Sequence, residues 1–255
     1  ISYKSLGSWL IAPQNVWLGQ LKLQPREWIN PLKNLEELDL SELRRYHLLR
    51  ERYENLKHQL PEHRDACLIT QTEEDWEYIY SGQGVLPPIS AASIECEILN
   101  KRWHRLQSTL NKIGPLGKEF LQANDSTNEI LWAGDFVVVI ELGKLKAKNA
   151  MEGWLQHLLA CSQGKAPSAT LVITRSSSRA KQDEFEIALK WNPIPASQAE
   201  KELKKLKEMS SIGLKNCWPV PPESGWAFAQ ASRKGLYKAE KAFQQRWDGG
   251  FNFKG

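Results

Sequence analysis

The feature that most restricts the fold of this chain is a nearly continuous apolar segment near its middle, the run Phe-Val-Val-Val-Ile-Glu-Leu at residues 136–142. A run of this kind is typical of a strand that is covered on both faces. An amphipathic helix pattern follows, with Asn149 as its expected N-cap, and a second apolar run at residues 170–174 predicts another strand. Strand, helix and strand form a crossover unit, so we expect the two strands to be parallel neighbours with the helix packed on one face.

Further strand and helix patterns extend this unit on both sides. The alternation of charged and apolar residues at 184–191 predicts a strand nearer a sheet edge, and Gly134-Asp135 predicts a turn. The predicted strands lie at residues 118–124, 129–133, 136–142, 170–174 and 184–191, and the predicted helices at residues 91–113, 149–163, 197–209 and 224–247. We therefore predict an α/β fold, on the border with α+β, built on a mixed sheet.

Residues 1–95 predict a helical arm ahead of this sheet. A capping pattern, with Asp39 as N-cap and Glu42 three residues later, starts a helix that Pro61 ends. A short helix is expected to start at Thr72, because acidic residues follow it at once and suit a helix N-terminus.

The arm and the sheet differ in charge. Residues 1–95 carry 10 basic and 14 acidic side chains, whereas residues 96–255 carry 24 basic and 16 acidic ones. An acidic part ahead of a basic part favours a protein partner on one side and a polyanion on the other, although ordinary solvated lysines give the same totals. We therefore divide the chain into a helical arm, 1–95, and a mixed-sheet domain, 96–255.

Several function classes lack their motifs. Gly114-Pro-Leu-Gly117-Lys118 has the wrong spacing for a phosphate-binding loop, and none of the five histidines has metal-ligand spacing. The four cysteines form no Cys-x-x-Cys pair, so neither a zinc site nor a disulfide framework is indicated. No apolar run approaches the roughly 18 residues that span a bilayer. We expect no ATP hydrolysis, no metal or other cofactor, no membrane contact and a cytoplasmic location.

The order of hairpin, strand, helix and strand is similar to the core of metal-dependent nucleases of the restriction-endonuclease type, by analogy of fold. Those enzymes need an acidic residue and a lysine two positions apart on one strand, where both side chains face the same side. Here Glu141 and Lys144 are three positions apart and point to opposite faces, while Asp135 lies in a turn. We therefore predict a restriction-endonuclease-like core without its active site. An active nuclease that combines Glu129 or Asp135 with Glu141 is an alternative.

Four stretches of the chain carry, in their order, a resemblance to a known family. They are Leu6-Gly-Ser-Trp-Leu-Ile-Ala-Pro13, Ser81-Gly-Gln-Gly-Val-Leu-Pro-Pro88, Gly153-Trp-Leu-Gln-His-Leu158 and Val220-Pro-Pro-Glu-Ser-Gly-Trp-Ala227. The sequence resembles the C-terminal part of the RecC family, the gamma chains of exodeoxyribonuclease V, along essentially its whole length. The resemblance implies a non-catalytic subunit of a RecBCD-type helicase–nuclease in double-strand break repair and homologous recombination, which separates and guides the strands of double-stranded and forked DNA. It also implies RecB-like and RecD-like partner chains that carry the ATPase and nuclease activities.

The candidates for DNA contact come from the residues alone. Lys144, Lys146 and Lys148 follow the central strand at alternate positions. A strand that continued through them would align them as a basic row along DNA phosphates, whereas solvated lysines at a strand end are the alternative. No catalytic and no metal-binding residue is predicted.

The candidates for partner contact lie in other parts of the chain. Arg44 and Arg45, on the first long helix, are expected either to contact a partner chain or to form ion pairs with acidic neighbours such as Glu42. Trp218, beside Pro219, is expected to be an exposed or interface ring. A pure assembly module without DNA contact is the second hypothesis that these features support.

Overall fold

The computed structural model describes residues 3–23, 39–62, 76–88, 90–123, 126–216 and 221–250. Its helices are α1 (Tyr3–Ile11), α2 (Pro13–Gln20), α3 (Glu42–Gln59), α4 (Trp76–Gly82), α5 (Ser90–Ile113), α6 (Ala147–Ser162), α7 (Ala196–Gly213), α8 (Pro222–Ser232) and α9 (Leu236–Gly250). Its strands are β1 (Leu116–Ala123), β2 (Ser126–Ala133), β3 (Phe136–Lys144), β4 (Ala169–Arg175) and β5 (Phe185–Trp191). None of the described helices is long and apolar enough to cross a bilayer.

The described strands form one sheet in the order β1-β2-β3-β4-β5, in which β3 and β4 are parallel and the other neighbours are antiparallel. The parallel register places Val138 beside Leu171 and Ile140 beside Ile173, and α6 connects the two strands. β5 pairs with β4 at one edge of the sheet. The predicted mixed α/β sheet, its crossover unit and its edge strand are therefore confirmed.

Alternation along β3 explains how this strand is covered on both faces. Val138 and Leu142 are buried in a cluster with side chains of α3 and α5, whereas Val137 is buried in a second cluster with α1, α6 and α7. Successive side chains of a strand point to opposite faces, so a run of apolar residues serves both clusters at once.

The arm and the sheet share these clusters. Leu49 of α3 lies in the same cluster as Leu171 and Ile173 of β4, and Leu6 of α1 lies in the cluster that α6 fills. The division into residues 1–95 and 96–255 falls inside α5, which starts at Ser90. That division stays a prediction, while described residues on both sides of it contribute to each cluster.

Two helix starts differ slightly from their sequence predictions. Ser41, rather than Asp39, is the N-cap of α3, and its hydroxyl accepts a hydrogen bond from the Arg44 N–H at 3.3 Å. Lys146, rather than Asn149, is the N-cap of α6. The Asn149 side chain lies in the first turn and accepts a hydrogen bond from the Lys146 N–H at 3.0 Å. A polar side chain thus accepts a backbone hydrogen bond at the N-terminus of each of the two helices. In α6 this side chain is the third helical residue, as in a capping box.

The helix predicted at residues 224–247 is two helices, so this prediction was wrong. Gly235, at a φ of +108°, separates the end of α8 at Ser232 from the start of α9 at Leu236. A residue with a Cβ atom rarely adopts this conformation, and glycine allows the chain to turn there. The apolar pattern continues across the break because α8 and α9 pack against each other.

The end of β3 changes the environment of the lysines that follow it. The pairing register between β3 and β4 shifts between Glu141 and Lys144, and β3 ends at Lys144. Lys146 caps α6, and Lys148 lies in the first turn of that helix. The premise of a continuing strand was therefore wrong, and the three lysines do not form a row along one strand.

Candidate functional site

A gap between β2 and β3 creates the candidate site. Described residues of these strands pair only beside their turn, where Trp132 lies opposite Val137 and Ala133 lies opposite Phe136. Beyond the turn, a cavity of about 390 Å³ lies against the two strands, and α3 and α6 complete its wall. The two strands pair beside their turn and then separate. The sheet therefore has an opening that side chains of both α3 and α6 line.

Charged side chains dominate the wall of this cavity. They are Arg50, Glu54 and Lys57 of α3, Glu129 of β2, Glu141 of β3, and Lys148 and Glu152 of α6. An adjoining cavity of about 600 Å³ shares Lys57, Glu129 and Glu152 with the first and extends toward α1. Four carboxylates and three cations thus line the first cavity, and their charges nearly cancel.

Two protein donors hold Glu141. Its Oε1 accepts a hydrogen bond from the Gly143 N–H at 2.9 Å, and its Oε2 accepts one from the Asn149 side-chain amide at 2.8 Å. A Cβ atom at position 143 would lie 3.2 Å from Oε1, so glycine at this position leaves room for the carboxylate. Both oxygens of Glu141 are therefore engaged within the chain.

Glu129 is paired across the cavity. Its Oε1 lies 2.6 Å from Nζ of Lys57, which belongs to the last turn of α3. The pair is about one-third exposed on each side and joins the arm to β2. Glu129 is therefore neutralised by a cation from another element.

Acidic and phenolic groups around the cavity influence each other's protonation. Glu152 is open to the cavity but surrounded by protein, and this desolvation raises its pKa, as does the nearby charge of Glu141. Desolvation and the same charge also raise the pKa of Tyr46, although its hydroxyl accepts a hydrogen bond from Nη1 of Arg50 at 3.0 Å. Both shifts follow from the burial of negative groups around one space.

Two carboxylates of the cavity have protein partners. Within the described part of the chain, no three His, Cys, Asp or Glu side chains are grouped so that they could hold a metal ion. Glu129 and Glu141 each contact a protein donor, so the cavity presents a surface of mixed charge with partnered carboxylates.

The structure brings together some of the residues considered for a nuclease. Glu129 and Glu141 line the same cavity. Asp135 lies in the exposed turn between β2 and β3, where its carbonyl accepts a hydrogen bond from the Ser168 N–H at 2.9 Å. Lys144 is exposed, and neither it nor Asp135 is among the described residues that line the cavity.

The predicted DNA-binding lysines have different surroundings. Lys148 lines the cavity, whereas Lys144 and Lys146 are exposed. Their contact with DNA stays a prediction, now without the strand row that suggested it.

The predicted partner-binding residues also differ from one another. Arg44 is exposed on α3. Arg45 donates hydrogen bonds to Glu95 from Nε and Nη2 at 2.7 Å and to Glu42 from Nη1 at 2.8 Å. The expected ion pair is therefore present at Arg45, while partner contact by either arginine stays a prediction. Trp218 lies outside the described residues.

Sequence reasoning missed Lys57 and Glu152 as cavity residues. Lys57 reaches the site because α3 packs across the gap in the sheet, and no local spacing indicates such a contact. Glu152 carries a signal that could have found it. With Asn149 and Gln156 it forms a polar stripe at helical spacing on α6, and all three side chains line the cavity.

The comparison with protein families covers most of the chain. The model of the RecC C-terminal domain matches residues 1–233 of the 255. No match to a curated protein was found. The match extends over all of the sheet and over the arm, in agreement with the resemblance of the four sequence stretches. The chain therefore belongs to the RecC C-terminal domain family, whose members are subunits of exodeoxyribonuclease V.

Proposed function

We propose that this chain is a non-catalytic, DNA-guiding part of a RecBCD-type helicase–nuclease, which acts in double-strand break repair and homologous recombination. Its mixed-sheet part is a restriction-endonuclease-like core that lacks the active site. RecB-like and RecD-like chains bind to it and supply the ATPase and nuclease activities. Double-stranded and forked DNA pass over its basic part, with Lys144, Lys146 and Lys148 as contacts, and Arg44, Arg45 and Trp218 meet a partner chain.

The state of the carboxylates in the cavity is the observation that carries this proposal. Metal-dependent nucleases need free carboxylates that share a metal ion with the scissile phosphate. Here Lys57 pairs with Glu129, and Gly143 and Asn149 occupy the oxygens of Glu141. A carboxylate that already accepts protein hydrogen bonds must break them before it binds a metal ion.

The order of elements supports the analogy with nucleases. α5 precedes three antiparallel strands, β1 to β3, and α6 then connects β3 to the parallel strand β4. Nucleases of the restriction-endonuclease type carry their acidic residues on the hairpin and on the next strand, which here hold Glu129 and Glu141. Under this analogy, Glu129 and Glu141 lie on the strands that would carry the active site, and both are partnered within the chain.

The first test is the affinity of the chain for forked DNA over a salt series. Each phosphate contact lowers log K by about 0.7–0.9 per decade of salt, so a slope of several units places DNA on this chain. Replacement of Lys144, Lys146 and Lys148 by glutamine is expected to reduce the slope by about 2–3. The matched control replaces Lys201, Lys204 and Lys207 of α7 and is expected to change the slope less.

Two results would contradict the proposal. Absence of binding by the wild-type chain at low salt would favour the pure assembly module. Cleavage of DNA with magnesium that Glu141→Ala abolishes would establish the active nuclease, which the shared cavity of Glu129 and Glu141 keeps as the alternative.

A further inference from the structure

The helical hairpin formed by α8 and α9 is anchored at one end. Oε1 of Glu223 accepts a hydrogen bond from the Ala147 N–H at the start of α6, at 2.9 Å, and Oε2 lies 3.6 Å from Arg246. Toward this end of α9, Phe243 and Trp247 stack with ring centroids 6.3 Å apart, whereas the fully buried Ala239 lies in the first turn of α9, next to the opposite end. α8 packs mainly on α9 and secondarily on α6. At the opposite end, where the two helices meet, the described residues form no ion pair and no ring contact with another helix or strand.

Every residue at that opposite end, from Ser232 to Lys238, is exposed. We call these seven residues the hairpin tip. It contains Arg233, Lys234 and Lys238, and Lys241 follows one turn later on α9. None of these four cations forms an ion pair with a described residue, and Glu240 is their acidic neighbour in sequence. The tip therefore carries a local excess of positive charge.

Two large apolar side chains lie among these cations. Tyr237 is 76% exposed and Leu236 is 67% exposed. Tyr237 and Lys241 are four positions apart on α9, so they lie on the same face of the helix, away from the buried Ala239. Tyr237 thus presents the face of an apolar ring to solvent beside the cations, where a planar base can stack on it.

We propose that the hairpin tip binds single-stranded DNA, with the four cations on phosphates and the Tyr237 ring stacked on an unpaired base. Cations interleaved with an exposed aromatic ring are the combination that recognises single strands, because the charges follow the backbone and the ring accepts any base. A duplex offers phosphates but no free base face along its length, so the ring favours the single strand. The inference rests on the proposed DNA-handling role and assigns a surface other than Lys144, Lys146 and Lys148.

The test measures the binding of the full chain to a single-stranded oligothymidylate and to a blunt duplex, each over a salt series. Replacement of Lys234 and Lys238 by glutamine is expected to lower the salt slope for the single strand by about 1.4, at about 0.7 for each lost contact. Tyr237→Ala is expected to weaken binding of the single strand about tenfold and of the duplex much less, whereas Tyr237→Phe keeps the ring and the affinity. The control replaces Lys201 and Lys204 of α7, which removes the same charge elsewhere.

The outcomes separate this inference from the proposed function. If the wild-type chain binds DNA and the tip variants bind it equally well, the tip assignment is wrong, while the DNA-handling role stands. If Tyr237→Ala weakens binding of the single strand and of the duplex equally, the proposed stacking of Tyr237 on a base is wrong. If the wild-type chain binds neither DNA, the tip assignment and the DNA-handling role both fail. Circular dichroism confirms that each variant keeps the helix content of the wild type.

Discussion

Gly153 shows how closely α6 approaches the sheet. A Cβ atom at this position would lie 2.7 Å from Cγ2 of Val172 and 2.9 Å from Cζ3 of Trp191. Val172 is fully buried in β4, and Trp191 lies beside Trp154 and His157 of α6. A methyl group at position 153 would therefore require both neighbours to shift, and glycine allows this close contact between helix and sheet.

Gly153→Ala is expected to lower the free energy of unfolding by about 1–3 kcal/mol, because an added methyl group in a packed core displaces its neighbours. Urea denaturation followed by tryptophan fluorescence measures the change. Gly225→Ala in α8 is the matched control, since a Cβ atom there meets nothing within 4 Å. The control is expected to be neutral or to stabilise the chain by up to about 1 kcal/mol. Equal stabilities of the two variants would show that α6 can move away from the sheet.

For single residues, the sequence predicted the type of side chain at a structural position better than its exact number. It placed a polar cap before the helix of residues 149–163, and Asn149 does bond the backbone at that end, from inside the helix. The environment of Gly153 could not be predicted, because it depends on residues of β4 and β5 that reach it only in the folded chain.

Among the elements, α3 is fastened to the rest of the chain by Glu42. Arg102 of α5 donates to both carboxylate oxygens at 2.9 and 3.2 Å, Arg175 of β4 donates at 2.6 Å, and Arg45 of α3 donates at 2.8 Å. Burial opposes the ionisation of Glu42, but the hydrogen bonds from the three arginines outweigh it and lower the pKa from 4.5 to about 2. One carboxylate therefore links two helices and the sheet.

This junction predicts a specific loss of stability in acid. The pKa of Glu42 is lower in the folded than in the unfolded chain, so its contribution is complete above pH 4.5 and is lost as the pH falls toward 2. At pH 6, Glu42→Gln is expected to cost about 1 kcal/mol, because water screens a half-exposed carboxylate. The difference between wild type and variant, measured by urea denaturation, is expected to shrink steadily below pH 4.5. A difference that stays constant from pH 6 to pH 3 would show that the arginines do not favour the charged form.

The elements themselves were predictable where one physical signal dominates. Apolar runs located β3 and β4. The helix between them predicted a crossover connection and therefore a parallel pair of strands. Charge alternation placed β5 at an edge. The break between α8 and α9 was missed because the apolar period continues through Gly235, although a glycine after basic residues is itself a helix stop signal.

For the whole molecule, described residues of the arm and of the sheet contribute to the same cavity and to the same two clusters. Lys57 of the arm pairs with Glu129 of the sheet, and Leu40, Leu49 and Tyr53 of the arm lie in a cluster with β4. The sequence indicated an arm and a sheet from their periods and charges, and these patterns contain no information on whether the two parts fold separately. Whether they do is a question for the deletion experiment that follows.

Removal of residues 1–82 is therefore expected to leave a piece without a cooperative unfolding transition. The deletion takes Leu6, Leu40, Leu49 and Tyr53 from the two clusters. Each lost core side chain costs about 2–5 kcal/mol, and a domain has only about 5–15 kcal/mol to lose. The measurement is urea denaturation by circular dichroism, together with binding of an apolar dye that reports exposed core.

A deletion at the other end serves as the control for that experiment. Residues 1–216 lack α8 and α9, and no described residue of these helices belongs to either cluster. This shorter chain is expected to unfold cooperatively, because both clusters stay intact. Cooperative unfolding of residues 83–255 with little dye binding would show instead that the sheet folds without its arm, and the division at residue 95 would then be a true domain boundary.

The same pair of deletions locates DNA binding, since loss of α8 and α9 removes the hairpin tip and leaves Lys144, Lys146 and Lys148 in place.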